Sequence, residues 1–107
     1  MRAILAAAAL LIAGSAAMAL SPEEQRGFTF AQANCSLCHA IGMADESPLP
    51  IAPPFRIVHE LRDLDQLAEP LHIGTITEHP SMPRFQLDAD QINDLIAYLR
   101  ALARGDL

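Results

Sequence analysis

Two thiols three residues apart, with an imidazole directly behind the second, lie at Cys35-Ser36-Leu37-Cys38-His39 in a chain of 107 residues. Such a spacing admits four chemistries. A thioredoxin-like dithiol follows a strand in a βαβ unit, whereas the residues before Cys35 read as a helix and no strand pattern is convincing. A zinc site needs a second pair of ligands at defined spacing, and the chain has no further cysteine. A disulfide between Cys35 and Cys38 would close a very small loop, where the entropic gain is least. The fourth reading fits best. Each thiol adds to a vinyl group of one haem, and His39 presents its imidazole to the iron from the same side, as in the C-x-x-C-H attachment signature.

The amino terminus supports that reading. Met1 to Ala19 run MRAILAAAALLIAGSAAMA, with Arg2 at the start, an apolar run from Ala3 to Ala13 and a small-x-small site at Ala17-Met18-Ala19. This is the layout of a cleavable secretory signal peptide. The apolar run is about half of the roughly 20 residues that span a bilayer, so an uncleaved anchor is disfavoured. The sequence therefore divides into a leader, 1–19, and a domain, 20–107, exported to the periplasm. Removing the leader takes the formal net charge from −6 to −7, with no lysine anywhere in the chain. Length, composition and this charge balance disfavour a two-domain enzyme, a transmembrane bundle and a basic nucleic-acid module. A domain this short struggles to build a sufficient core from side chains alone, and a bound group would complete it.

Three segments read as helices. Ser21-Pro22-Glu23-Glu24 carries a capping box and a proline suited to the first turn, predicting a helix to Ala33 or Asn34. Gly27 inside it marks a close helix contact. The last helix is capped by Asp88 with Gln91, stapled by Leu87 and Ile92, and striped by Ile92, Leu95, Ile96, Leu99, Leu102 and Ala103. It should end near Arg104, before Gly105. Between them, Asp63 to Ile73 reads as a shorter helix that Pro70 breaks or splits into two turns. Ser47 to Pro54 holds four of the eight prolines and reads as extended.

With these motifs in place the chain resembles the small monohaem class I cytochromes c. The resemblance runs from about Pro22 to Ala103. It rests on Gly27 and Phe30 ahead of Asn34-Cys35-x-x-Cys38-His39, on Ala52-Pro53-Pro54-Phe55, on Met82-Pro83-x-Phe85 and on Asp94-Leu95-Ile96-Ala97-Tyr98-Leu99. It implies an all-α fold of three to four helices wrapped around one haem c, held covalently through Cys35 and Cys38. The terminal helices would cross near Gly27 and Phe30 on one side and Leu95 and Tyr98 on the other.

The resemblance places the sixth iron ligand at Met82, and the residues offer a separate reason. A thioether is soft and uncharged, so it favours Fe(II). A ligand on the face opposite His39 must also come from a distant segment, and Met82 stands well downstream between Pro80 and Pro83. Met43 is too close to His39 to reach that face. His59, His72 and His79 are rivals for a bis-His site, with His79 nearest. Pro53 resembles the family proline whose carbonyl accepts the proximal imidazole N–H, although the residues alone do not separate it from Pro54. Arg56, His59, Arg62, His72 and Arg84 are candidates for the haem carboxylates, each competing with a plain surface role. The family's mitochondrial-type members carry a tryptophan that this chain lacks.

The function implied is a soluble, monomeric periplasmic electron carrier, not an enzyme, with His39 and Met82 closing the iron to substrates. Partners would be redox proteins, docking transiently through a basic or apolar surface. Neither nucleic acid nor a stable membrane anchor is expected. Two alternatives remain open at this point: a subunit dedicated to one dehydrogenase or oxidase complex, and a gas-binding haem protein with a labile Met82.

Overall fold

The computed structural model describes residues 3, 20–74 and 81–107. The expected leader, apart from Ala3, and His79 with Pro80 lie outside the described residues. Four α-helices and two 3₁₀ turns make up the regular structure of the described residues, and no strand occurs among them.

Helix α1 spans Pro22–Asn34. The Ser21 hydroxyl accepts from the Glu24 amide, and the Glu24 carboxylate accepts from the Ser21 amide, completing the expected capping box. Only Gly27 and Ala31 of this helix are buried. An isolated helix of this length is marginal in water, so α1 depends on how closely it fits its neighbour.

That neighbour is the last helix, α4, Ala89–Arg104, capped by Asp88 with Gln91 reaching back. Gly105 ends it in the left-handed region, φ 73°, which glycine adopts without a Cβ penalty. Its buried face holds Ile92, Leu95, Ile96, Leu99 and Leu102, each worth about 1.5–3 kcal/mol when removed from water. Tyr98 and Ala101 widen that face beyond the expected stripe, while Ala103 is only partly buried.

The helices meet at Gly27. A Cβ there would lie 2.0 Å from the Asp94 carbonyl oxygen and 2.8 Å from the Tyr98 Cβ, so only glycine permits this approach. Phe28 stacks on Tyr98 with ring centroids 5.5 Å apart. Phe30, expected at the crossing, lies between the groove that α1 forms with Gln91 and Asp94 of α4 and the interior cavity, which it lines together with Leu95. The Arg26 guanidinium bridges to the Asp94 carboxylate with two hydrogen bonds of 3.0 and 3.2 Å.

The middle of the chain differs from expectation at Ser47 to Pro54 and in an additional short helix, and agrees with it in that Asp63 to Ile73 is split. Ser47 to Pro54 is not extended throughout: the Ala52 amide bonds to the Leu49 carbonyl at 2.9 Å and makes a turn, leaving Pro53 and Pro54 as the extended part. After it comes a 3₁₀ turn, Phe55–Ile57, running into α2, Val58–Leu61. Helix α2 has a single turn, too short to show a period in the sequence. The segment from Asp63 to Ile73 is two pieces, a 3₁₀ turn Leu64–Leu67 followed by α3, Ala68–Ile73. The change occurs ahead of Pro70, which thereby falls in the first turn of α3, where a missing N–H costs nothing.

Candidate functional site: a cleft between the attachment turn and Met82

The Cys35 amide caps α1 by donating to the Ala31 carbonyl at 2.8 Å. The amides of Cys38 and His39 then fold back on the Cys35 carbonyl at 3.2 and 3.0 Å. One tight turn therefore gathers both thiols and the imidazole. Ala40 fixes its exit: its carbonyl accepts from the Phe55 amide at 2.8 Å, and its amide donates to the Ser47 hydroxyl at 3.0 Å. The Tyr98 hydroxyl reaches across from α4 to the Ile41 carbonyl at 2.5 Å. Burial, with a smaller contribution from the Asp45 charge, pushes the Tyr98 phenol up to about 12.

His39 is oriented from two sides. Its Nδ1–H donates to the Pro53 carbonyl at 2.7 Å, and the Phe55 ring packs beside it with centroids 5.0 Å apart. The Pro54 carbonyl is used elsewhere, accepting from the Ile57 amide at 3.1 Å. With Nδ1 engaged, Nε2 is the nitrogen left to act as a ligand. Sequence patterns offered no role for Phe55 beyond its place in a motif; its contact with the imidazole becomes visible only in three dimensions.

His39 and Met82 both line a cavity of about 330 Å³, walled by Phe30, Phe55, Leu71, Leu95 and Leu99 among others. Ile92 of the same helix face lies in the core but outside this wall. A second cavity, of about 390 Å³, opens beside Cys38, Leu37, Leu49 and Ile51, and shares Cys35, His39, Met82 and Phe85 with the first. Among the described lining residues, Arg62 alone is charged. Arg56, His59, His72 and Arg84 line neither cavity, and the Arg56 guanidinium donates to the Asp45 carbonyl. Cys35 is buried, and burial pushes its thiol up to about 11. No group of three or more His, Cys, Asp or Glu placed to hold a metal ion occurs among the described residues.

A flat apolar macrocycle with two vinyl groups and an iron needs apolar walls, two thiols at one edge and axial donors. The cleft offers all three. The family model for cytochrome c matches residues 24–103. The chain belongs to the cytochrome c family. Among curated relatives, cytochrome c-552 of Bradyrhizobium diazoefficiens is 28% identical over 93 residues, covering 87% of this chain and 88% of the relative. A cytochrome c-553-like protein of Synechocystis is 32% identical over 88 residues, covering 82% of this chain and 77% of the relative. No solved structure matches the chain. The cytochrome is thus an all-α electron-transfer protein whose covalent cofactor is a c-type haem, and Cys35 and Cys38 have the spacing that attachment requires. No helix among its described residues is long and apolar enough to cross a membrane.

Proposed function

We infer that this cytochrome is an exported one-electron carrier with His39 and Met82 as axial ligands, residues 1–19 being a leader removed on export to the periplasm. The observation that carries the ligand assignment is the convergence of His39, tied to Pro53 at 2.7 Å, and Met82 on the same two cavities. When bound, the haem supplies an iron that cycles between Fe(II) and Fe(III). Pro53 keeps the imidazole in one tautomer and one orientation, and raises its basicity. The uncharged Met82 thioether favours the lower oxidation state. The apolar walls exclude water, so little solvent has to rearrange when charge changes. Arg62 is the residue we assign to the haem carboxylates, since guanidinium pairs well with them and the other candidates stand outside the cleft. Export suits a chain with this leader, because haem attachment through C-x-x-C-H takes place outside the cytoplasm.

The mouth beside Cys38 favours an apolar partner surface over a basic one. Leu37 and Ile51 flank it at 88% and 74% exposure, and no charged residue lines it among those described, although the chain as a whole is acidic. Transfer through this mouth should depend only weakly on ionic strength.

Optical spectra of the ferric, ferrous and CO-treated holoprotein, beside Met82→Ala, test the ligand assignment. A ferric band characteristic of sulfur–iron ligation is expected in the wild type and absent in the variant. Rapid CO binding by the wild type would refute a closed, carrier-type iron.

A further inference from the structure

Leu87 joins the Met82 segment to the cap of α4, and both of its backbone groups are bonded to α3. Its amide donates to the Leu71 carbonyl at 2.9 Å, filling one of the carbonyls that a helix C-terminus leaves without an internal partner. Its own carbonyl accepts the Nδ1–H of His72 at 3.1 Å. Beside these bonds Gly74 ends α3 in the left-handed region, φ 78°, and a Cβ there would lie 3.2 Å from the Phe85 carbonyl oxygen. Phe85 and Leu87 are therefore held against the end of α3, and both line the cleft with Met82. The His72 ring lines neither cavity, so it acts on the site only through Leu87.

We propose that His72 is a positioning residue for Met82: its bond to the Leu87 carbonyl sets where the segment from Met82 to Leu87 lies against the cleft. This rests on Met82 being the sixth ligand. Removing the imidazole leaves the backbone bond between Leu71 and Leu87 in place, so the fold survives while the segment gains freedom. Met82 then competes less well for the iron.

The test is titration of the ferric holoprotein with imidazole at pH 8. His72→Ala should bind imidazole about three- to tenfold more tightly than the wild type, the range expected from one neutral hydrogen bond. His72→Asn, whose amide can donate from a similar position, should return affinity to within about twofold of the wild type. His59→Asn, on an exposed residue outside both cavities, should leave it unchanged. Equal affinity of His72→Ala and the wild type overturns the proposal, as does an asparagine variant as tight as the alanine one. Met82→Ala, expected to bind tightest of all, separates the two levels: if it matches the wild type, the ligand assignment is wrong instead of the role of His72.

Discussion

The two sides of this cytochrome are built on different principles. Where α1 crosses α4, polypeptide packs directly on polypeptide, with Gly27 against the Asp94 carbonyl and Phe28 stacked on Tyr98. Around the cleft, the chain is assembled from a tight turn, two 3₁₀ turns, two short helices and the segment from Met82 to Leu87. Single hydrogen bonds to backbone carbonyls, from His39 to Pro53 and from His72 to Leu87, set the geometry there. One side is rigid because atoms are in contact. The other is oriented at a few points, and its walls serve a cofactor instead of each other.

If this contrast holds, changes at the crossing should reduce stability and leave the iron ligands alone, while changes at the cleft should reach the spectrum first. The largest effect is expected from Gly27→Ala. Its Cβ would collide with backbone, so the helices must separate, at a cost of about 3 kcal/mol or more in chemical denaturation of the holoprotein. The ferric spectrum should stay that of the wild type until unfolding. A spectral change in the folded variant would break the contrast.

Leu71→Ala, on the cleft side, should cost about 2–3 kcal/mol, because a buried wall residue is truncated. Here the spectrum should respond before global unfolding. An unaltered spectrum up to the unfolding midpoint would show that the cleft is as rigid as the crossing.

Tyr98 belongs to both sides, since its ring is at the crossing and its hydroxyl holds Ile41 next to the attachment turn. Tyr98→Phe should cost about 1 kcal/mol. It should also alter the alkaline limb of the stability profile. The phenol is raised from 10.0 in the ordinary case to about 12 in the folded protein, so folding favours its neutral form. That contribution is complete below pH 10 and is lost as pH rises towards 12. The phenylalanine variant should lack this loss; an unchanged alkaline limb would show that another group titrates there.

The smallest effect should come from Arg26 and Asp94. Their bidentate pair is at the surface, with the arginine side chain 59% exposed. Arg26→Gln should cost about 1 kcal/mol or less, shrinking further in high salt. A larger, salt-independent loss would mean that the pair, and not the glycine contact, holds the crossing together.

Much of this was legible in the residues because it is local. The cap of α1 at Ser21, the cap of α4 at Asp88 and the stop at Gly105 each depend on side chains within a few positions, as does the C-x-x-C-H turn itself. The apolar period of α4 identifies a buried face without reference to what covers it. The resemblance of Met82-Pro83 and Ala52-Pro53-Pro54 to family motifs brought Met82 and Pro53 forward as candidates. Helix α2 and the turn at Leu49 to Ala52 were not legible, since one turn leaves no period and proline-rich composition is shared by turns and extended chain.

By itself, then, the sequence determined the ends of α1 and α4, the buried face of α4 and the attachment chemistry, all of them decided by neighbours along the chain. The tertiary structure alone decided that Pro53 and not Pro54 meets His39, that Phe28 and not Phe30 stacks on Tyr98, that Arg62 is the cation at the cleft, and that His72 holds Leu87. Each of these pairs residues that are far apart in sequence, or chooses between near-identical neighbours. Local preference is equal for both choices in such cases, and only the packing of the helices settles which group arrives within bonding distance.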